Sequence, residues 1–134
     1  CYFAFSLPYT YTDLQRYLHG LNTTIRGALI LRRSVLCRTI AGNICDLLTI
    51  TAPCDSAAAL LNRVAVIITA RVHPGETVAS WMMQGVLDFL TSDSPEADSL
   101  REKFIFKVVP MLNPDGVING NYRTNLSGND LNRR

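Results

Sequence analysis

Val64-Ala65-Val66-Ile67-Ile68-Thr69-Ala70 restricts the fold more than any other segment, because every residue in it is small, apolar or β-branched and neither face carries a charge that needs water. A strand of that kind belongs in the middle of a sheet that helices cover, the arrangement of α/β domains. The residues after it agree. From Thr77 onward, Val78, Trp81, Met82, Val86, Phe89 and Leu90 fall on one stripe at helical spacing, with Gln84 and Asp88 off it. That pattern predicts an amphipathic helix of about fourteen residues buried through the stripe. Ser94-Pro95-Glu96 then supplies an N-cap, a first-turn proline and an early acid, opening a second helix to about Glu102. Phe104 to Val109 reads as another strand, closed by Pro110.

The flanks are less regular. Thr12-Asp13-Leu14-Gln15 has the form of a capping box, and Leu14, Tyr17, Leu18 and Leu21 continue it at helical spacing, so a helix is expected from Thr12 to about Leu21. Residues 22–38 are ambiguous, with helical composition around Ala28 to Leu36; Gly42-Asn43 reads as a turn and Cys45 to Thr51 as a strand. Asp55 to Asn62 looks like a surface connection with some helix propensity. The tail from Leu112 onward is rich in Asn and Gly and is expected to be an extended, irregular segment, the kind of long loop that usually carries function.

Strand, helix, helix, strand with crossover-length connections gives the fold class: α/β, with a partial mixed, largely parallel sheet flanked by helices. At 134 residues the chain is one domain or part of one. It opens on Cys1 with neither Met nor a basic leader and reads as a piece of a longer protein. Its hydrophobic share of 48% excludes a disordered chain. Thirteen Lys and Arg against eleven Asp and Glu leave only +2, scattered along the chain, which argues against a nucleic-acid partner. No apolar run approaches the ~18–20 residues of a membrane-spanning helix. Four cysteines without a CxxC pair point to reduced, mostly structural thiols rather than a disulfide scaffold. Nothing in the sequence sets an oligomeric state.

Chemistry gathers in two places. Arg71-Val72-His73-Pro74-Gly75-Glu76 follows directly on the apolar strand, at the C-terminal end where ligands bind in open α/β sheets. His73 and Glu76 stand three apart across a Pro-Gly turn and could aim an imidazole and a carboxylate at one Zn²⁺; so short a motif is more often met by an ordinary loop histidine and a glutamate placed for the helix dipole. The second is Asn113-Pro114-Asp115-Gly116 with Gly120-Asn121-Tyr122-Arg123 and Gly128-Asn129-Asp130-Leu131-Asn132-Arg133. Taken singly these are a surface turn and solvated arginines; taken together, two arginines and an asparagine in one loop could clamp a carboxylate.

Jointly and in order, Ala70 to Glu76, Asn113 to Val117, Gly120 to Arg123 and Asp130 to Arg133 resemble the zinc metallocarboxypeptidases, specifically the cytosolic carboxypeptidase subfamily. Pro8 to Gln15 and Leu47 to Thr51 resemble it too, so the likeness spans nearly the whole chain. It implies that His73 and Glu76 are zinc ligands, that Asp130 hydrogen-bonds the ligand histidine, that Asn132 and Arg133 grip the substrate's terminal carboxylate, and that Arg123 is the catalytic arginine at the oxyanion. The resemblance, not the spacing, supplies these roles.

The family also uses a second histidine, a glutamate base and a covering tyrosine beyond the Asn-Arg pair. The only other histidine here is His19, on the N-terminal helix, and it is not expected to be a ligand. Residues 1–134 are therefore expected to form the N-terminal part of a single catalytic domain. The implied activity is removal of glutamates from acidic C-terminal tails or polyglutamate side chains of proteins such as tubulin, in the cytoplasm. The alternatives are a non-catalytic fragment or degenerate homologue acting as a binding module and, more weakly, an amidohydrolase of small acyl-amino acids.

Overall fold

The computed structural model describes residues 1 and 3–133, together with every side chain among them except those at 25 and 26. Helix α1 (Tyr11–Thr23) starts one residue earlier than expected because Thr10, not Thr12, caps it. Thr10 Oγ1 accepts from Asp13 N at 3.1 Å, and Asp13 Oδ2 accepts from Thr10 N at 2.9 Å, a cap worth about 1 kcal/mol. Gln15, expected to close the box, instead donates to Asp46 Oδ2 at 2.8 Å.

The ambiguous stretch splits. A short helix α2 (Ile25–Ile30) gives way to strand β1 (Leu31–Arg38), so the helical reading of 28–36 fails after residue 30. Arg32, Arg33 and Leu36 suit either state, and pairing decides: β1 lies antiparallel to β2 (Ile44–Ile50), Leu31 opposite Ile50 and Arg38 opposite Ile44. Gly42, at φ 81°, supplies the left-handed residue of the connecting turn. A five-residue helix α3 (Ala57–Leu61), capped by Ser56, then leads into β3 (Val64–Thr69).

From β3 the chain crosses over through α4 (Thr77–Leu90) and α5 (Pro95–Lys103) to β4 (Phe104–Val109), which runs parallel to β3 with Val64 opposite Phe104 and Thr69 opposite Val109. The sheet order is β1-β2-β4-β3. The mixed sheet flanked by helices is as expected, but among the described residues only the β3/β4 pairing is parallel, the β1/β2 hairpin and the β2/β4 pairing both being antiparallel. The strand expected in the middle stands at the edge here, with Ile67 73% exposed.

One face of the sheet makes the core. Leu48, Ile50, Phe106 and Val108 alternate along β2 and β4 and meet Leu14 and Leu18 of α1 and Met83, Leu87 and Leu90 of α4. Each such large side chain contributes about 1.5–3 kcal/mol on full burial. Helix α4 has the expected bounds but turns a different face inward. Ser80, Met83, Leu87 and Leu90 are buried, while Val78, Trp81, Met82 and Phe89 of the expected stripe are exposed. The helix carries apolar residues on two sides, and spacing alone does not rank them.

Past β4 the tail is not wholly irregular: Asn113 caps helix α6 (Pro114–Asn119), and Pro114, Asp115 and Gly116 are buried rather than forming a surface turn. All four cysteines are free, but only Cys45 is buried, so the expectation of mostly structural thiols holds for that one alone. No helix among the described residues is long and apolar enough to cross a membrane.

Candidate active site

The segment between β3 and α4 is built around an arginine. Arg71 is the one non-glycine residue at positive φ among those described, at 53°, and its buried side chain reaches across the turn it begins. Nε donates to Pro74 O at 2.9 Å, and Nη1 to Tyr9 O at 3.2 Å and Ser80 Oγ at 2.8 Å. The turn is thereby tied to the N-terminal segment and to the first turns of α4. Gly75 N donates to Tyr122 O at 2.7 Å, and a Cβ on Gly75 would stand 2.8 Å from that oxygen and against the Tyr122 ring, so only glycine fits. Glu76 holds the N-cap position of α4, but its side chain makes no capping bond and turns to His73.

His73 is buried and bonded at both ring nitrogens. Nε2 lies 2.9 Å from Asp130 Oδ1 and Nδ1 lies 3.1 Å from Glu76 Oε1. Asp130 is an ionised acceptor, its carboxyl held down at about 2, first by the Asn132 backbone N–H and then by His73 and Arg123, against an opposing effect of burial. An ionised carboxylate can only accept, so Nε2 donates to Asp130, and Nδ1 faces the Glu76 carboxylate. Either a proton on Nδ1 or a metal cation bound there reconciles that nitrogen with a carboxylate 3.1 Å away. An imidazole nitrogen and a carboxylate oxygen are donors that suit Zn²⁺, so the pair fits that ion.

Asp130 gathers the rest. Its Oδ2 accepts from Arg123 Nε at 2.7 Å, its Oδ1 accepts from Asn132 N at 2.9 Å, and Arg133 N donates to Asp130 O at 3.2 Å. Of the six residues expected from the sequence, His73, Glu76, Asp130 and Arg123 meet directly through side chains, and Asn132 joins through its backbone. Arg133 turns its guanidinium onto Asn132 O at 2.9 Å, and among the described residues the two expected clamp side chains share no bound partner. His19 is exposed on α1. Among the described residues no three His, Cys, Asp or Glu side chains stand together so as to hold a metal ion.

Sequence reading missed the scaffold under this site. Asn113 Oδ1 caps α6 through Gly116 N at 3.0 Å while its Nδ2 donates to Val72 O at 3.3 Å, joining the two loops. A Cβ on Gly116 would stand 2.8 Å from Thr124 O, so the tail lies directly on α6. Asn121 Nδ2 donates to Thr124 O at 3.0 Å and Asn125 O at 3.2 Å, and Asn125 Oδ1 accepts from Ser127 N and Asn129 N. The recurring asparagines thus do in the tail what a ladder does in a sheet. Their frequency was the signal that could have revealed it.

Residues 17–134 match the family model described as zinc carboxypeptidase. The chain is 58% identical over 133 residues to cytosolic carboxypeptidase 2 of Danio rerio, covering 99% of this chain and 18% of that protein. It is 54% identical over 140 residues to cytosolic carboxypeptidase 1 of Homo sapiens, covering 100% of this chain and 11% of that one. It therefore spans less than a fifth of the length of these relatives. Among solved structures, a metallo-carboxypeptidase from Burkholderia cenocepacia superposes at a TM-score of 0.82 with 33% identity, over 94% of this chain and 32% of that chain.

Proposed function

Because this chain belongs to the zinc carboxypeptidase family, we propose that residues 1–134 are the N-terminal part of a catalytic domain that removes C-terminal residues, glutamate in particular, from acidic protein tails or polyglutamate side chains such as those of tubulin. The names of these relatives, cytosolic carboxypeptidases, support a cytosolic setting. The observation that carries the reading is His73 held between two carboxylates, one fixing its proton on Nε2 and the other sharing the face of Nδ1. Family membership favours a peptidase over the amidohydrolase and binding-module readings.

In this reading His73 and Glu76 hold zinc, which when bound supplies a Lewis acid at the scissile carbonyl. Asp130 keeps His73 in the tautomer that frees Nδ1 and holds the ring's direction. Arg123 spends only Nε on Asp130, which leaves its terminal nitrogens to stabilise charge developing on the carbonyl oxygen. Asn132 and Arg133, on the exposed rim, take the terminal carboxylate, for which Arg133 must leave Asn132 O. The third ligand and the general base lie outside these residues.

The test is His73→Ala in the full-length protein, read as zinc content and as glutamate released from a glutamate-terminated peptide. Both are expected to vanish. One equivalent of zinc retained in the variant places the metal elsewhere.

A further inference from the structure

Two arginines among the described residues are almost wholly buried, and only one has an acid beside it. Arg101 pairs with Asp98. Arg71, 3% exposed, has no carboxylate partner among the described residues: its Nε and Nη1 go to two carbonyls and a hydroxyl, and nothing described accepts from Nη2. Buried charges are normally paired, because desolvating an ion without a partner is costly.

No fully buried side-chain nitrogen among the described residues lacks a hydrogen-bond partner, so Nη2, for which none is found, is not completely sealed by protein. Arg71 lines a cavity of about 320 Å³ together with Tyr9, Pro74, Gly75, Thr77 and Tyr122. Its lining is linked to the site described above through the chain, since Pro74 and Gly75 lie between His73 and Glu76 and Tyr122 precedes Arg123. One cationic nitrogen among proline and tyrosine walls suits a carboxylate on an aliphatic stem.

We propose that this cavity is a subsite for an acidic side chain of the substrate, upstream of the residue released, and that Arg71 Nη2 recognises its carboxylate. The inference rests on the peptidase reading, because only a peptide running past Tyr122 brings side chains to the cavity's mouth. Arg71 then has two duties: three of its N–H groups build the turn that carries His73, and the remaining two read the substrate.

The test uses the full-length protein and labelled peptides that share a C-terminal residue and carry either Glu or Gln upstream. Binding is followed by fluorescence anisotropy with zinc chelated, so that it is independent of turnover, and kcat/KM is measured separately on the zinc-loaded protein. Wild type is expected to bind the Glu peptide about ten- to a hundredfold more tightly, the range of a charge-assisted hydrogen bond, and Arg71→Met to erase that preference. Tyr122→Glu, which sets a carboxylate at the exposed mouth, is expected to lose it relative to Tyr122→Gln, and this pair decides the matter if Arg71→Met does not fold. Equal binding of the two peptides by wild type, or an undiminished preference in folded Arg71→Met, overturns the subsite. So does a structure of the full-length protein with one of its own carboxylates on Nη2. Arg71-dependent preference without any cleavage keeps the subsite and sinks the peptidase reading instead.

Discussion

Asp130 does more than any other side chain near His73, although its own chemistry is passive. It accepts from His73 Nε2, Arg123 Nε and the Asn132 N–H, so its removal frees an imidazole and a guanidinium together. Partners that orient a metal-binding histidine are typically worth 10–100-fold in affinity or activity, and Asp130→Ala in the full-length protein is expected to weaken zinc by about that factor. Competition with a chelator of known affinity checks it, and an unchanged zinc affinity removes Asp130 from the metal's support. Arg133 makes the opposite kind of claim. An exopeptidase must tell a free carboxylate from an amide, and Arg133→Lys keeps the charge while losing the planar fork, so kcat/KM is expected to fall by roughly ten- to a thousandfold. Zinc content should not move, because Arg133 touches neither His73 nor Glu76. Turnover within about twofold of wild type returns Arg133 to the status of a solvated loop residue.

Among elements, the β1/β2 hairpin is tied to α6 through one carboxylate. Asp115 Oδ1 accepts from Thr39 Oγ1 at 2.6 Å and Asn43 Nδ2 at 2.8 Å, and Oδ2 from Ala41 N at 3.0 Å. Burial alone pushes this carboxyl up, but the bonds from Asn43, Thr39 and Ala41 together outweigh it and hold it below the usual carboxylate range. A carboxyl depressed in the folded state stabilises it above the unfolded value of about 4, and that contribution is lost as pH falls through the folded value. Protection of the turn amides from hydrogen exchange is therefore expected to drop as pH falls below about 4. Asp115→Asn keeps an acceptor for Thr39 and Asn43 but sets an NH₂ against the Ala41 N–H. It should show the loss already at neutral pH, at roughly ten- to a hundredfold in protection. Protection equal to wild type would leave Asp115 without a structural role. This tie also marks where sequence reading stopped. Asn-Pro-Asp-Gly was legible as a chain reversal, but its buried contacts come from residues more than seventy positions away, which no local pattern encodes. Helix α4 shows the same limit, for its length was written in the spacing while its buried face depended on which stripe met Leu48 and Val108. His73, Glu76 and Arg123 could be named as candidates because family motifs are local. The burial of Arg71 without an acid beside it among the described residues is a three-dimensional property that no local motif carries.

At the scale of the whole molecule, what bears on function is how much of a metal site these residues assemble. A catalytic zinc centre has three protein ligands and one open position. Here two candidate donors converge, His73 and Glu76, and the carboxylate nearest to them, Asp130, is committed to His73 Nε2, Arg123 and the Asn132 N–H. His19 is exposed on α1, Cys37 and Cys54 are exposed, and Cys45 is buried against Met111 O with its thiol pushed up to about 12, chiefly by burial, so none of these supplies a ready third ligand. The 134-residue chain by itself is therefore expected to bind zinc weakly, in the micromolar range or above, because most of the coordination shell stays water. Calorimetric titration measures this directly. The same titration on His73→Ala should remove even the weak site, since Glu76 alone leaves a single carboxylate. One equivalent of zinc bound at nanomolar affinity by the wild-type chain would mean that the sheet and tail bring a further ligand to His73, and the division of the site between these residues and the rest of the longer protein would have to be redrawn.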